Sequence, residues 1–530
     1  MEVKVLLGDE AIAQGALDAG VSGCYAYPGT PSTEILEYIQ ASPEARRRGV
    51  HRDWSSNEKT AMEAALGMSY AGKRALVSMK HVGLNVAADG FINAAITGTG
   101  GGLVVAVADD PSMHSSQNEQ DSRYYAHFAR IPCLEPSSQQ EAYDMVRQAM
   151  ALSEEERLPV LLRLTTRLAH SRANVTCAAP MQENECRLPD DPRRFILLPV
   201  IARGNFSALL DKQGGLVQHS ENSGLNRYID AEDRSLGIIA AGLGWNYLQE
   251  NYRSAPCPHP VLKVSQYPLP KALLRRLRNE CDRILVLEEG YPFIEEQLRG
   301  ALDNAGAVAG RMSGDVPRQG ELTPDHVARA LNLDTAPPVE TSDLLTPRPP
   351  RLCAGCPHIH SYQALVDVIK PYGPGHVFSD IGCYTLGALP PFEAISTCVD
   401  MGASITMAKG AVDAGFTPGI AVLGDSTFTH SGMTGLLDAV WEQTAITVVI
   451  LDNGTTGMTG GQDSLATGRL EELVTGIGVE PEHVRTVEPL PANYEQNVNV
   501  LHEEIEYQGV SVVIAHRECI QTLRRTHSSE

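Results

Sequence analysis

Short apolar runs rich in β-branched residues recur along the whole chain, and helix-like segments such as 58–72 and 432–442 separate them. Strands that are apolar on both faces and alternate with helices are typical of parallel sheets covered by helices on both sides. The sequence therefore predicts an α/β fold built from parallel sheets. The apolar runs lie at residues 74–79, 103–108, 159–164, 236–241, 283–287, 419–423, 446–451 and 510–515.

The length of 530 residues is too great for a single hydrophobic core, so about three domains are expected. A polar, proline-bearing segment at 180–194 and a segment at 335–350 with five prolines mark two boundaries. We predict a first domain over residues 1–185, a middle domain over 195–335, a proline-rich linker over 336–350 and a last domain over 351–530.

The charge and the cysteine content exclude several classes of protein. The formal net charge of -22 argues against nucleic acid or an anionic membrane as the main partner. No apolar run approaches the length of a membrane span, and the first residues do not resemble a signal peptide. The eleven cysteines are odd in number and unevenly spread, which is unlike a secreted disulfide framework. We therefore expect a cytoplasmic protein whose grouped cysteines serve metal or redox chemistry.

Two polar residues follow apolar runs of the last domain at matching places. Asp425 comes after the run 419–423 and Gly424, and Asn453 comes after the run 446–451. If these runs are neighbouring parallel strands, both side chains lie at one edge and offer oxygen ligands, as Mg²⁺ prefers. A turn there that opens a helix also presents backbone N–H groups to phosphate. The alternative for Asp425 alone is an ordinary helix cap.

The cysteines of the last domain are grouped. Cys353 and Cys356 form a Cys-x-x-Cys pair directly after the proline-rich segment, and Cys383, Cys398 and Cys519 follow. The pair could be a redox dithiol, half of a zinc site, half of an iron–sulfur site or a chance pair of buried thiols. A structural zinc site would need a second close pair, which the sequence lacks, whereas iron–sulfur clusters accept scattered thiolates.

Longer motifs follow one another in a fixed order over residues 4–525. Together they resemble the 2-oxoacid:ferredoxin oxidoreductases, and most closely the α subunits of indolepyruvate ferredoxin oxidoreductases. The resemblance implies a pyrimidine-binding domain, a middle transketolase-C-like domain and a diphosphate-binding domain, which together bind thiamine diphosphate. The motifs are YPGTPSTEI (27–35), NEKTAMEAALG (57–67), MKHVGLNVAADG (79–90), VLEEGYPFIEEQ (286–297), CAGCPH (353–358), DIGCYTLG (380–387), GDSTFTHSGM (424–433) and LDNGTTGMTGG (451–461).

The resemblance implies two catalytic residues in the first domain. Glu58 would hydrogen-bond N1′ of the cofactor's aminopyrimidine, and Thr30 would face the 2-oxo acid with its hydroxyl. The alternative for Glu58 is an ordinary acidic residue in the first turn of a helix, and Glu63 is its rival on the same helix. The alternative for Thr30 is a simple turn residue.

In the last domain, the resemblance implies a magnesium site and an iron–sulfur site. Asp425 and Asn453 would bind Mg²⁺ through their side chains and Thr455 through its backbone carbonyl. The resemblance assigns Cys519 as the fourth ligand of a 4Fe-4S cluster, and Cys398 is its competitor for that place. The further cofactor-binding candidates are Gly424, Ser426 and His358, and the first three cluster ligands are Cys353, Cys356 and Cys383.

The activity that the resemblance implies is oxidative decarboxylation of an aryl or bulky 2-oxo acid to an acyl-coenzyme A. Electrons would pass through the cluster to ferredoxin or a partner redox subunit. A small γ-type (β) subunit and pairing of two α chains are expected. Because the chain ends at Glu530 without the ferredoxin-like domain usual in this family, we expect the electron acceptor to be a separate polypeptide.

Three points leave room for other interpretations. Residues 459–463 are TGGQD where related chains tend to have TGHQP, and this difference bears on the substrate. Glu288, Glu289 and Pro292 of the middle domain could line a coenzyme A path or a subunit interface. The alternative activities are a non-oxidative thiamine-dependent 2-oxo acid decarboxylase and a non-catalytic scaffold, although the intact set of Glu58, Asp425 and Asn453 argues against a scaffold.

Overall fold

The chain folds into two compact units, Met1–Val339 and Glu340–Glu530. The computed structural model describes residues 2–187, 192–300, 308–318, 320–335, 342, 344–346, 351–398 and 400–528. Most of the predicted linker, namely residues 336–341, 343 and 347–350, lies outside the described residues. The predicted boundaries between three domains stay predictions.

The first unit contains two larger sheets and one two-stranded sheet. The six-stranded sheet has the order β11-β5-β6-β4-β3-β2, and the five-stranded sheet has the order β13-β12-β9-β10-β8. All pairs in these two sheets are parallel except those of the edge strands β11 and β8. The strands are β1 (Glu2–Leu6), β2 (Gly23–Ala26), β3 (Ala75–Lys80), β4 (Leu103–Asp109), β5 (Cys133–Leu134), β6 (Val160–Thr165), β7 (Ala173–Cys177), β8 (Arg227–Ile229), β9 (Leu236–Ala241), β10 (Val261–Val264), β11 (Gln266–Tyr267), β12 (Arg283–Leu287) and β13 (Val308–Ala309).

Helices cover these sheets, and the central strands β3, β4 and β6 are buried along their whole length. Burial on both faces explains why the sequence of these strands is mostly apolar rather than alternating. The helices of the first unit are α1 (Gly8–Asp18), α2 (Thr33–Ala41), α3 (Pro43–Arg48), α4 (Glu58–Tyr70), α5 (His81–Thr97), α6 (Arg123–Ala129), α7 (Gln139–Glu156), α8 (Thr166–His170), α9 (Pro199–Asn222), α10 (Leu243–Asn251), α11 (Lys271–Glu280), α12 (Phe293–Arg299) and α13 (Pro324–Ala330).

The second unit is built on one parallel five-stranded sheet with the order β14-β15-β16-β20-β19. A small antiparallel pair, β17 with β18, follows the central strand β16. Its strands are β14 (Val377–Ser379), β15 (Gly419–Gly424), β16 (Ile446–Asp452), β17 (Thr455–Thr456), β18 (Gln462–Asp463), β19 (Val484–Val487) and β20 (Ser511–His516), and its helices are α14 (Pro357–Ile369), α15 (Ala403–Asp413), α16 (Asp425–Thr427), α17 (Met433–Glu442), α18 (Leu470–Ile477), α19 (Tyr494–Glu506) and α20 (Ile520–Ser528).

All eight apolar runs of the sequence are strands, and each pairs in parallel with a neighbour. The two helix-like segments are α4 and α17. The predicted α/β fold is therefore confirmed. Within the described part of the chain, every helix lacks either the length or the apolar character needed to cross a membrane.

Buried ion pairs join the two larger sheets of the first unit. Arg123 of α6 donates from Nη1 to Glu288 Oε2 at 2.8 Å and from Nε to Asp121 Oδ1 at 2.9 Å. Arg163 of β6 donates from Nε to Asp109 Oδ2 at 2.6 Å. The side chains of both arginines are fully buried. Because a buried charge is costly unless it is paired, this network fixes how the two sheets pack.

Glu288 and Glu289 follow β12 and belong to the same network. Glu289 accepts from Thr165 Oγ1 at 3.1 Å and from the Leu322 backbone N–H at 3.2 Å. Glu288 and Glu289 are only 1% and 2% exposed, and Pro292 is buried as well. The expectation that these residues line an open coenzyme A path or a subunit interface is therefore wrong, since their side chains are engaged inside the first unit.

Replacing Arg123 by alanine is predicted to lower the free energy of unfolding by about 3–5 kcal/mol, because it leaves buried carboxylates unpaired. Urea unfolding of the full chain would measure the change. Arg167→Ala is the matched control: Arg167 pairs with Glu321 at 2.7 Å, but its side chain is 53% exposed. Arg167→Ala should lower the free energy of unfolding by about 0–1 kcal/mol. Equal effects of the two substitutions would contradict the structural role of the buried ion-pair network.

Candidate functional site

In the second unit, the register of two strands brings Asp425 and Asn453 to one edge of the sheet. β15 pairs in parallel with β16, and Gly424 lies opposite Leu451. Asp425 directly follows β15 and Asn453 directly follows β16. The structure therefore has both residues at neighbouring strand ends, as the sequence predicts.

The Asp425 carboxylate is buried without full compensation. The residue is 2% exposed, and its Oδ2 atom has no hydrogen-bond partner among the residues that the structure describes. Burial, reinforced by the nearby Asp452 carboxylate, raises the pKa of Asp425 to about 7. A buried carboxylate oxygen without a donor is stabilised by a cation, so this side chain fits a metal ligand.

Asn453 is held in place by two neighbours. Its Oδ1 atom accepts a hydrogen bond from the Thr455 backbone N–H at 3.1 Å, and its Nδ2 atom lies 3.4 Å from His358 Nε2. Burial lowers the pKa of His358 to about 4, so the ring is neutral near pH 7. The Thr455 hydroxyl donates to the Gln462 carbonyl at 2.8 Å. The predicted contribution of Thr455 to a metal therefore rests on its backbone carbonyl.

The turn after β15 is tightly packed. A Cβ atom at Gly424 would lie 2.8 Å from the Tyr384 ring, so the close approach requires glycine here. Ser426 Oγ lies 3.0 Å from Thr456 Oγ1, which ties this turn to the start of β17. The turn opens the helical segment that begins with α16 and thus has the geometry that favours a phosphate group.

Three segments meet around the same strand end, and together they carry Cys353 with Cys356, Cys383, and Cys519. The Cys519 backbone N–H donates to the Asn453 carbonyl at 3.0 Å. A Cβ at Gly355, inside the Cys-x-x-Cys turn, would lie 2.9 Å from Ile520 Cδ1. A Cβ at Gly457 would lie 3.3 Å from Cys383 Sγ and 3.7 Å from Asn453 Nδ2.

The pKa shifts of these thiols separate the two candidates for the fourth position. Burial raises the pKa of Cys383 to about 12, and the thiols of Cys356, Cys519 and Cys353 raise it further. The pKa of Cys356 rises to about 11, first through burial and then through Cys353 and Cys519. Burial also raises the pKa of Cys398, but its interacting neighbours are Thr385 and Asp380. Cys519 thus shares an electrostatic environment with the other three thiols, and Cys398 has a different one.

In the first unit, Glu58 is the first residue of α4 and is 5% exposed. Asn57 caps this helix by accepting from the Thr60 backbone N–H at 2.9 Å. A Cβ at position 83 would lie 2.5 Å from Glu58 Oε1, so Gly83 of α5 leaves room for the carboxylate. Glu63, the rival on the same helix, pairs with Lys59 at the surface.

Lys80 is a residue of this region that the sequence reasoning missed. It ends β3 and is 8% exposed. Burial lowers the pKa of Lys80 to about 8, although Asp110 and Glu58 act in the opposite direction. The signal was available in the sequence, because a lysine directly after a continuously apolar strand is unusual unless it has a partner.

Thr30 lies in the turn between β2 and α2 and is half-buried. Its carbonyl accepts from Ser115 Oγ at 3.3 Å, and the Ser115 carbonyl accepts from Lys80 Nζ at 2.7 Å. A Cβ at Gly29 would lie 3.3 Å from Lys80 Cβ. Thr30 and Glu58 are therefore both near Lys80, at the edge where the parallel strands β2 and β3 end.

Comparison with known proteins identifies the family. The family model "Pyruvate flavodoxin/ferredoxin oxidoreductase, thiamine diP-bdg" matches residues 14–196, and "Thiamine pyrophosphate enzyme, C-terminal TPP binding domain" matches residues 380–514. The indolepyruvate oxidoreductase subunit IorA of Archaeoglobus fulgidus is 40% identical over 98% of this chain and 86% of that protein. The chain belongs to the IorA family. The IorA subunit of Methanothermobacter thermautotrophicus is 39% identical over 97% of this chain and 86% of that protein.

More distant relatives have parts of the same fold. The 2-oxoglutarate synthase subunit KorA of Methanothermobacter thermautotrophicus is 31% identical over 36% of this chain and 52% of that protein. The structure of 2-oxoglutarate:ferredoxin oxidoreductase from Magnetococcus marinus superposes with a TM-score of 0.50 at 16% identity, covering 62% of this chain and 65% of that one. At this identity the likeness concerns the fold alone.

Membership in the IorA family confirms the resemblance inferred from the motifs and the thiamine-diphosphate-binding fold. The chain is a subunit of a thiamine-diphosphate-dependent 2-oxo acid oxidoreductase. The roles of the individual site residues stay predictions.

Asp425→Asn is predicted to stabilise the metal-free protein at pH 8. Because the pKa of Asp425 is about 7 in the folded state and about 4 in the unfolded state, the folded chain loses stability as the pH rises from about 4 to about 7. Asparagine does not ionise and has no such cost. The free energy of unfolding of Asp425→Asn should therefore exceed that of the wild type by an amount that grows over this pH window to about 1–4 kcal/mol and stays constant above it.

Urea midpoints of the wild type and the variant at pH 5, 6, 7 and 8 would measure this dependence. Asp463→Asn, which changes an exposed acid in β18, is the control and should show little change with pH. A higher urea midpoint for the wild type than for Asp425→Asn at pH 8 would contradict the conclusion that the Asp425 carboxylate is buried without full compensation.

Proposed function

We propose that the chain is the catalytic α-type subunit that oxidatively decarboxylates an aryl or bulky 2-oxo acid, of the indolepyruvate or phenylpyruvate type, to an acyl-coenzyme A. In the balanced reaction, the 2-oxo acid anion and coenzyme A give the thioester, CO₂, one proton and two electrons. The substrate class is taken from the IorA relatives. The observation that carries the redox part is that three segments with four cysteines meet at the neighbouring strand ends that bear Asp425 and Asn453.

The proposed magnesium and diphosphate site consists of Asp425, Asn453 and the Thr455 carbonyl. The orphaned Oδ2 atom of Asp425 supports a cation at this place. Backbone N–H groups of the turn at Gly424 and Ser426 would bind the diphosphate. His358, neutral and beside Asn453, would keep the Asn453 side chain oriented so that Oδ1 faces the metal.

When bound, thiamine diphosphate supplies a thiazolium that accepts the electron pair released by decarboxylation. Glu58 would hydrogen-bond N1′ of the aminopyrimidine and hold a proton between its carboxyl group and that nitrogen. Because Glu58 is buried, water would not compete for this hydrogen bond. Gly83 supports this role because the absence of a Cβ there leaves the room that the Glu58 carboxylate occupies. Lys80 and the Thr30 hydroxyl would orient the carboxylate and keto groups of the 2-oxo acid.

The proposed cluster ligands are Cys353, Cys356, Cys383 and Cys519. A structural zinc site would need a second close Cys or His pair, which the sequence lacks, whereas an iron–sulfur cluster accepts scattered thiolates. The shared environment of these four thiols supports Cys519 over Cys398 as the fourth ligand.

A multisubunit enzyme is part of the proposal, because the IorA relatives are named as subunits. The expected partners are a small γ-type (β) subunit, a second α chain and ferredoxin or another redox protein that takes the electrons. Coenzyme A is the proposed cosubstrate.

The activity is tested with a panel of aryl and aliphatic 2-oxo acids under anaerobic conditions, with coenzyme A, a low-potential electron acceptor and the co-expressed partner subunit. The wild type should reduce the acceptor and form the thioester. Glu58→Gln should lower the rate by at least about 10²-fold while thiamine diphosphate still binds, and Glu63→Gln should retain the wild-type rate. Release of an aldehyde without reduction of the acceptor would instead show a non-oxidative decarboxylase.

Iron content tests the cluster. After anaerobic purification the wild type should be brown, with absorbance near about 400 nm and about four irons per chain. Cys519→Ser and Cys356→Ser should lose the iron and the reduction of the acceptor, whereas Cys398→Ser should keep both. Loss of iron in Cys398→Ser with retention in Cys519→Ser would reverse the assignment of the fourth ligand.

A further inference from the structure

Three side chains of the first unit that have no part in the proposed active site converge on one point. Asp9 lies in the first turn of α1, Glu34 lies in the first turn of α2, and His170 is the last residue of α8. One ligand atom from each lies within 4.8 Å of those from the other two. His170 Nε2 is 3.5 Å from Glu34 Oε1.

Asp9 is the unusual member of this group. It is 0% exposed, and among the described residues no hydrogen-bond donor reaches either of its carboxylate oxygens. A buried carboxylate in such surroundings is costly unless a proton or a cation neutralises it.

A proton shared between Asp9 and Glu34 is the alternative to a cation, because the two carboxyl groups are close enough to hydrogen-bond each other. In the absence of that proton, no donor among the described residues reaches the buried Glu34 Oε2 atom. His170 Nε2, at 3.5 Å from Glu34 Oε1, supplies the third ligand atom of the group. A cation that displaces the His170 proton would accept lone pairs from both carboxylates and from the imidazole at once.

We propose that Asp9, Glu34 and His170 bind one divalent transition-metal ion such as Zn²⁺ or Mn²⁺. Two carboxylates and one imidazole suit these ions, whereas all-oxygen sites suit Mg²⁺ and Ca²⁺. Zinc bonds to nitrogen and oxygen ligands are about 2.0–2.2 Å long, so the ligand atoms move together when the ion binds. The side chains of His170 and Glu34 are 36% and 35% exposed, which lets them move and leaves room for water ligands.

The ion would tie together the starts of α1 and α2 and the end of α8. α2 begins at Thr33, whose Oγ1 atom accepts a hydrogen bond from the Gly29 backbone N–H at 3.1 Å. The turn between Gly29 and Thr33 carries Thr30. A metal at this site would therefore act as a positioning element for that turn and would not touch the reacting atoms.

Metal counting on the full chain tests the site. Wild type, Asp9→Asn, His170→Gln and the control Glu37→Gln would be dialysed against buffered Zn²⁺ and the zinc per chain measured. Glu37 is an exposed acid of the same helix as Glu34. Zinc bound by the cysteines is the same in all four proteins, because none of the substitutions changes a cysteine. The wild type and Glu37→Gln should therefore hold one more zinc per chain than Asp9→Asn and His170→Gln.

Thermal melting provides a second readout that does not depend on activity. Zn²⁺ or Mn²⁺ should raise the melting temperature of the wild type by more than that of Asp9→Asn or His170→Gln. Without metal, Asp9→Asn should melt at or above the wild-type temperature, because the unpaired buried carboxylate is gone. Equal zinc contents in the four proteins would overturn the site and leave a proton as the group that neutralises Asp9. Because His170 is at the surface, its variant keeps the test valid even if Asp9→Asn folds poorly.

Discussion

The parallel pairing of strands is the constraint on which the candidate sites depend. Parallel neighbours end at the same edge, so the residues that follow them meet there even when they are far apart in sequence. In the second unit, β16 pairs with β15 on one side and with β20 on the other, with Asp452 opposite His516. Asp425, Asn453 and the segment of Cys519 therefore leave the sheet side by side.

The same constraint operates in the first unit. Lys80 lies opposite Ala108, and Asp109 lies opposite Thr165, where β3, β4 and β6 end. The strands themselves are buried and mostly apolar, with Arg163 of β6 as an ion-paired exception, and further polar and charged residues stand at this edge. A polar group placed there is shielded from water by the surrounding helices, which explains why its pKa departs from the usual value.

Buried charges serve two different purposes in this protein. Where arginines face them, as Arg123 faces Asp121 and Glu288, the carboxylates hold two sheets together. For Asp425 and Asp9, which have no arginine or lysine partner within the described residues, at least one carboxylate oxygen is left without a hydrogen-bond partner. The second arrangement is destabilising by itself, and it is the arrangement expected where a bound cation completes the structure.

The sequence by itself determined the fold class and the family, because periodic apolar runs and long ordered motifs are local properties that need no knowledge of distant contacts. The same local logic predicted Asp425 and Asn453, since each directly follows a strand. Only the tertiary structure decided which thiols share an environment, that Glu288 and Glu289 are internal, and that Asp9 meets Glu34 and His170. These facts depend on contacts between residues widely separated in sequence, and the energy of a buried charge is set by such neighbours rather than by its own segment.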